Sequence, residues 1–159
     1  MKSTPVVVAV MILIVGCSES IPPDDSQIQA AIAGQLKDIE TMTNQGHPTE
    51  KATVLYLEYF SSDPTVLPYG GHLLEGRHAV SDFYSSVFSM GTIISNSYTE
   101  PTISVSDGFA VRTYEGTAEF RPFESEDILS YTNVYTDVLV QENDAWRIDW
   151  HSWVPAQPN

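Results

Sequence analysis

The chain has 159 residues, of which 21 are acidic and 7 basic, so its formal charge is −14. A surface this acidic repels phosphate backbones, and we therefore expect no nucleic-acid partner. The single cysteine, Cys17, excludes an intramolecular disulfide framework. The four histidines are scattered without zinc-site spacing, and no glycine-rich nucleotide motif occurs, so we expect neither a metal nor a cofactor. The length fits one domain.

The first residues have the pattern of an export signal. Residues 1–16 combine one lysine with an apolar run that is too short to span a membrane. The run closes on the letters IVGC, which resemble a bacterial lipoprotein signal. That resemblance implies that Cys17 is lipidated and anchors an exported chain to the cell envelope, and Ser18 favours the outer membrane where the host has one. An ordinary cleaved signal or an uncleaved anchor is the alternative. Residues 17–27 are then a flexible tether.

Three helices are predicted after the tether. Apolar residues recur at intervals of three and four from Ile28, which predicts an amphipathic helix ending near residues 44–46. Pro48 opens a second helix, and the cluster at residues 61–64 is expected to end it. A third helix is predicted over residues 77–90.

The second half of the chain has the composition of β-strands. Asp107 and Gly108 indicate a hairpin turn, whereas residues 121–129 form a polar connection. Helices followed by a meander predict an α+β fold in which the helices pack on one face of a curved antiparallel sheet. The predicted strands cover residues 65–69, 92–106, 109–120, 130–141 and 145–154.

The last two strands are expected to form a hairpin around Asn143 and Asp144. Strict alternation then places a carboxylate, Asp137, on a mostly apolar face, where burial would raise its pKa towards the range of a catalytic acid or base. The alternative is a strand-edge aspartate, or one that is hydrogen-bonded to a neighbouring Tyr or Trp. The expected pairs on this face are Leu139 with Ile148, Asp137 with Trp150, and Tyr135 with Ser152.

His151 is the second candidate for acid–base chemistry. Strict alternation points its side chain outwards, to the surface, unless a β-bulge turns it. If His151 instead pairs with Asp137, the two would suit proton abstraction or dehydration.

Residues 60–83, with the letters FSSDPTVLPYGGHLLEGRHAVSDF, and the closing letters WRIDWHSW carry a family pattern. The pattern includes Gly76 and Arg77 at the start of the third helix. It resembles the SnoaL-like and DUF4440 branch of the NTF2-like superfamily over residues 28–154, with residues 155–159 as a tail. This resemblance implies a cone-shaped sheet wrapped around the N-terminal helices, a pocket at the open end, and a homodimer formed through the outer face of the sheet.

The resemblance also bears on function. Pro68 stands near the position of the ketosteroid isomerase base, and no tyrosine occurs in residues 28–43, which disfavours that isomerase. We expect an envelope lipoprotein whose pocket binds a small apolar molecule or a partner. The alternative is a SnoaL-like lyase, isomerase or hydrolase with Asp137 and His151 as its acid–base pair. The aromatic residues expected to line the pocket are Tyr56, Tyr59, Tyr69, Tyr114, Tyr135 and Trp150.

Overall fold

The structure is a computed structural model that describes residues 24–156. The predicted signal peptide, Cys17 and most of the predicted tether lie outside the described residues. Within residues 24–156, no helix has both the length and the apolar character needed to cross a membrane.

Three helices are present: α1 (Asp25–Thr43), α2 (Thr49–Leu57) and α3 (Gly76–Ser89). Helix α1 begins within the segment predicted to be tether, because Asp24 caps it. The Asp24 carboxylate accepts a hydrogen bond from the Gln27 backbone N–H at 2.9 Å, and the Gln27 side chain accepts one from the Asp24 N–H at 3.2 Å. This reciprocal capping box satisfies two backbone donors and fixes the start of the helix.

The segment after α2 differs from its prediction. Residues 61–64 were expected to be a terminating turn, but they belong to strand β1 (Phe60–Leu67). Proline cannot donate a ladder hydrogen bond, so Pro64 is tolerated only at an irregularity. The pairing of β1 with the last strand provides one, since its register shifts between Phe60 and Thr65.

Seven strands form one curved, unclosed sheet. Besides β1, the strands are β2 (Leu74–Glu75), β3 (Gly91–Tyr98), β4 (Thr102–Ser106), β5 (Phe109–Pro122), β6 (Leu129–Glu142) and β7 (Ala145–Pro155). Their order is β2-β1-β7-β6-β5-β3, with β4 paired to β5. Strands β1 and β7 pair in parallel, and the other pairs are antiparallel. The run predicted over residues 92–106 is split at residues 99–101 into two strands.

The core lies between the helices and the concave face of the sheet. Helix α1 packs on β3 and β4, and α3 packs on β1. Side chains from both layers meet there with at most 2% of their surface exposed; they include Ile32, Ile39, Val66, Val80, Leu139 and Ile148. Each such side chain contributes about 1.5–3 kcal/mol by burial. The predicted α+β architecture, with helices packed on one face of a curved sheet, is confirmed.

The β6–β7 hairpin has the predicted turn. Asn143 and Asp144 have φ values of 50° and 62°, the left-handed region that a type I′ turn requires at both central positions. The predicted pair of Leu139 with Ile148 is present.

A β-bulge then changes which side chains face the core. Val138 pairs with Trp150, so Asp149 is an extra residue without a partner on β6. Beyond it, Asp137 pairs with His151 rather than Trp150, and the other predicted pair, Tyr135 with Ser152, is also wrong. The error arises because strict alternation was assumed, and a bulge shifts the alternation by one residue.

Candidate active site

Three polar side chains meet on the concave face of the sheet. Arg112 on β5 is the cross-strand partner of Asp137 on β6, which is in turn the partner of His151 on β7. Arg112 and Asp137 are 0% exposed and His151 is 2% exposed. Charged groups at this depth are stable only when they are paired and hydrogen-bonded.

The carboxylate of Asp137 is held from both sides. Its Oδ2 accepts hydrogen bonds from Nε and Nη2 of Arg112 at 2.9 and 2.6 Å, and its Oδ1 lies 2.6 Å from Nδ1 of His151. Arg112 also donates from Nη1 to the Ile32 carbonyl at 3.1 Å and to Gln35 Oε1 at 3.2 Å. The network therefore ties three strands to α1.

The pKa of Asp137 is shifted downwards, whereas the sequence predicted an upward shift. Burial raises the pKa of the carboxyl, but the charge of Arg112, the charge of His151 and the hydrogen bonds from both residues outweigh burial and lower it. The prediction was wrong because it included burial without Arg112. Asp137 is therefore a carboxylate that orients its neighbour, and it is a poor proton acceptor itself.

The ionised Asp137 carboxylate determines which tautomer a neutral His151 adopts. A carboxylate can only accept hydrogen bonds, so Nδ1 of a neutral His151 carries the proton and Nε2 keeps its lone pair. Nε2 has no hydrogen-bond partner among residues 24–156. The ring of Tyr135 stacks on the imidazole at 5.7 Å, and the edge-on ring of Phe60 lies at 6.0 Å. The imidazole is thus an oriented base with its free nitrogen in an aromatic environment.

Buried tyrosines surround this pair. Burial, and then nearby charges that include the Asp137 carboxylate, raise the pKa of each phenol well above 10.0. The phenols therefore remain neutral hydrogen-bond donors at physiological pH. The tyrosines concerned are Tyr56, Tyr84, Tyr98 and Tyr114.

The residues predicted to line a pocket fall into two groups. Tyr56, Tyr114 and Tyr135 lie in the interior, where Tyr114 and Tyr135 stack at 5.0 Å. Tyr59 is half-buried after α2, and Tyr69 is 64% exposed after β1.

Trp150 lies on the outer face of the sheet. Its Nε1 donates to the outward-facing Ser152 Oγ at 3.3 Å, and the bulge at Asp149 is what turns it there. The interior location expected for Trp150 is therefore wrong.

Two depressions in the surface are each lined in part by an aromatic residue that packs on an interior ring. A cavity of about 410 Å³ is lined by Met42, Ala52, Phe88 and Phe123, among others, and Phe88 packs on Tyr56 at 5.9 Å. A second cavity, of about 430 Å³, is lined by Phe60, which packs on His151, and by charged residues that include Arg77 and Glu142.

Other charged groups do not join the network. Arg147 donates to the Glu58 carbonyl, and the Asp149 carboxylate accepts from Ser61 Oγ at 2.9 Å. Within the described residues, no group of three or more His, Cys, Asp or Glu side chains is placed to hold a metal ion.

Two residues of the site were not among the predicted site residues. Arg112 lies in the alternating series Ala110, Arg112 and Tyr114, which marks it as inward-facing, but its pairing with Asp137 depends on a register across residues 121–129 that the sequence does not reveal. Tyr84 lies on the apolar face of α3, four residues after Val80, and this spacing was the available signal.

Solved structures with the same fold share little sequence with this chain. A nuclear transport factor 2 (NTF2-like) superfamily protein from Salmonella enterica is 15% identical, with a TM-score of 0.70, and the match covers 86% of this chain and 96% of that one. A ketosteroid isomerase-like protein from Erwinia carotovora is 12% identical, with a TM-score of 0.64, over 80% and 97% of the two chains. A hexachlorocyclohexane dehydrochlorinase, type 2, is 14% identical, with a TM-score of 0.67, over 82% and 86%.

These likenesses establish that the chain has the NTF2-like fold. No protein-family model and no curated protein matches the sequence.

Proposed function

We propose that this chain is a small-molecule enzyme, a lyase or isomerase, in which Nε2 of His151 removes a proton from a carbon atom of the substrate. The observation that carries the proposal is the buried Asp137–His151 pair, whose Nδ1–Oδ1 distance is 2.6 Å and whose Nε2 is unpartnered among the described residues. Asp137 holds the imidazole in the tautomer that a general base needs.

The proposed step is a proton transfer. The C–H bond breaks, an N–H bond forms at Nε2, and the electron pair left on carbon enters a new C=C bond. In an isomerase the proton returns to another carbon, and in a lyase a group on the neighbouring carbon departs with its bonding electrons. Arg112 keeps Asp137 ionised, so the imidazolium that forms remains paired with a carboxylate.

Deuterium exchange tests this function without knowledge of the natural substrate. Small cyclic ketones and enones are incubated with the protein in D2O, and deuterium at the carbon beside the carbonyl is followed by NMR. We expect His151→Gln to reduce exchange by about 10²- to 10⁴-fold, the usual contribution of a general base. His78→Gln is the matched control, because the His78 side chain is 93% exposed. Equal exchange by the wild type and His151→Gln would refute the proposal.

Binding without turnover is the second candidate. The closed aromatic interior favours it, because Tyr56, Tyr84 and Tyr114 are each at most 9% exposed. A ligand that saturates the protein with no exchange above the buffer rate would favour this role, for either a small apolar molecule or a partner in the envelope.

We also propose that the protein is exported and anchored to the cell envelope by a lipid on Cys17. The letters IVGC and the polar residues after Cys17 support a lipoprotein signal, and we favour the outer membrane. Cys17→Ser should abolish both acylation and partitioning into detergent, which labelling with a fatty-acid analogue and phase separation measure. An acylated Cys17→Ser chain would contradict this localisation.

The sequence pattern of residues 60–83 supports a separate proposal, that the chain belongs to the SnoaL-like or DUF4440 branch of the superfamily.

A homodimer through the outer sheet face is proposed as well. Val134 and Val154 are cross-strand partners on that face and are 39% and 53% exposed. Val134→Lys should convert a dimer to a monomer in analytical ultracentrifugation, whereas Thr102→Lys on β4 should not. A monomeric wild type contradicts the proposal.

A further inference from the structure

The side chain of Gln35 on α1 joins the buried network to two strands at once. Its Nε2 donates to the Trp146 carbonyl on β7 at 2.6 Å, and its Oε1 accepts from Nη1 of Arg112 on β5 at 3.2 Å. These two strands flank β6, which carries Asp137. One amide therefore links the helix to the strands on both sides of the carboxylate.

The two contacts allow the amide only one orientation. A guanidinium has donors and no acceptor, and a carbonyl oxygen is an acceptor and no donor. The amide oxygen of Gln35 must therefore face Arg112, and the amide nitrogen must face Trp146. A flipped amide would set donor against donor on one side and acceptor against acceptor on the other.

The hydrogen bonds between Arg112 and Asp137 do not by themselves fix the guanidinium. Nε and Nη2 both donate to the same oxygen, Oδ2, at 2.9 and 2.6 Å. A fork that engages both oxygens of a carboxylate would define the relative orientation of the two groups. Bonds that converge on one oxygen leave the guanidinium free to pivot about it, so a second point of attachment is needed.

Nη1 of Arg112 provides that second point. It donates to Gln35 Oε1 and to the Ile32 carbonyl at 3.1 Å, and both acceptors lie on α1. Both acceptors are uncharged, so they satisfy a buried donor without competing with Asp137 for the positive charge. Arg112 is 0% exposed, so solvent cannot substitute for them.

We propose that Gln35 is a positioning residue for the base: through Arg112, its amide holds the Asp137 carboxylate so that Oδ1 stays directed at Nδ1 of His151. This chain of contacts ends at the Oδ1–Nδ1 distance of 2.6 Å. The inference rests on the proposed function, because a general base at Nε2 needs the proton of a neutral imidazole to stay on Nδ1.

The test compares Gln35→Met with Gln29→Met. Methionine is an unbranched side chain that fills the space of glutamine but forms neither hydrogen bond. Gln29 is the matched control, because it lies on the same helix and its Nε2 also donates to a strand carbonyl, that of Ile103 at 3.3 Å. Within residues 24–156, Gln29 makes no hydrogen bond to a member of the buried network.

Proton and nitrogen-15 NMR of protein with labelled histidine observes the imidazole directly, and His151→Gln assigns its signals. The spectra are recorded at about pH 9, where an unperturbed imidazole is neutral. A short hydrogen bond to a carboxylate moves the Nδ1 proton downfield, and the shifts of the two nitrogens give the ratio of the tautomers. Loss of stability alone leaves both quantities unchanged in the molecules that remain folded.

We expect the wild type and Gln29→Met to have a downfield Nδ1 proton and a single neutral tautomer. In Gln35→Met the proton should move upfield and both tautomers should appear. Deuterium exchange into the best ketone should fall about tenfold, in kcat rather than KM, because a misaligned base affects the chemical step. Wild-type NMR signals and a wild-type exchange rate in Gln35→Met would overturn the inference.

Gln35→Glu tests the same contacts if Gln35→Met does not fold. Glutamate keeps the shape of glutamine, but its carboxylate cannot donate to the Trp146 carbonyl and draws the charge of Arg112 away from Asp137. The same upfield movement of the Nδ1 proton is therefore expected. A wild-type Nδ1 proton signal in Gln35→Glu would equally contradict a positioning role.

The two proposals fail in different ways. If His151→Gln abolishes exchange while Gln35→Met keeps the wild-type signals and rate, the inference about Gln35 falls and the enzyme remains. If the wild type exchanges no ketone, yet Gln35→Met moves the Nδ1 proton, the enzymatic function falls and the positioning of the imidazole by Gln35 remains.

Discussion

The interior has two regions of opposite character. In the ionic region, Arg112, Asp137 and His151 are buried, and both carboxylate oxygens of Asp137 are used. In the aromatic region, the nearest rings to Tyr84 are those of Tyr56, Phe83, Phe60 and Phe88, none of which carries a charge.

This difference shows where the fold satisfies its own polar groups. A buried charge without a partner costs several kcal/mol, so each charge in the ionic region is matched within the chain. A neutral hydroxyl left unpaired costs about 1–3 kcal/mol, which a folded domain can sustain. The ionic region therefore determines stability and tautomer and leaves one lone pair, on Nε2 of His151, whereas the aromatic region contributes neutral phenols and apolar contacts.

The largest effect should come from breaking the ion pair. Arg112→Met leaves Asp137 with His151 alone, and we expect a loss of about 3–5 kcal/mol in the free energy of unfolding. Urea denaturation followed by circular dichroism measures it. Arg121→Met is the control, because Arg121 is exposed near the end of the same strand.

The double variant Arg112→Met/Asp137→Leu sharpens this result. It removes both charges of the pair, so its destabilisation should be smaller than the sum of the two single effects. Additive effects would contradict a direct energetic coupling between Arg112 and Asp137.

The next largest effect should come from acid, which protonates Asp137 and so weakens the ionic region. The pKa of Asp137 is lowered in the folded state, so its contribution to stability is present above the unfolded value of 3.8 and is lost as the pH falls through the folded value. We expect the stability difference between wild type and Asp137→Asn to shrink below about pH 4, by roughly 1.4 kcal/mol for each unit by which the pKa is lowered. Urea unfolding from pH 2 to 7 measures it. A constant difference would show that the carboxylate is not preferentially ionised by the fold.

Alkali should disturb the aromatic region by a smaller amount. The phenols of Tyr56, Tyr84 and Tyr98 have raised pKa values in the folded state, so their contribution is complete below about pH 10 and is lost as the pH rises through the folded values. Absorbance at 295 nm should therefore show the buried phenols ionising together with loss of the near-ultraviolet circular dichroism. If these phenols ionise while the dichroism is intact, they are more accessible than the structure indicates.

Much of the fold could be predicted because its signals are local. The spacing of Ile32, Leu36 and Ile39 predicts α1, and the pairs Asp107–Gly108 and Asn143–Asp144 predict two turns by their tolerance of left-handed backbone. Both signals depend on residues close in sequence, so no tertiary information is needed.

The site depends on contacts that are distant in sequence. The bulge at Asp149 lies beside an irregularity in β1, and Ser61 donates to Asp149 across 88 positions of the chain. The pKa of Asp137 changes direction because of Arg112, which is 25 positions away. Asp137 and His151 could be nominated from the sequence, and the acidic excess suggested that Arg112 neutralises a carboxylate, but neither pairing with Asp137 could be derived from it.

The bulge has one more consequence. Along β7, Trp150 and Ser152 face outwards and alternate with His151 and Trp153, which face inwards. The strand thus has two sets of side chains, and its register decides which set faces the interior. Straightening the bulge without removing a residue would bring an indole to Asp137 in place of an imidazole. The register of β7 therefore decides which ring lies beside the Asp137 carboxylate. A change of register alone would alter the chemistry of the interior, even if all four of these side chains were kept.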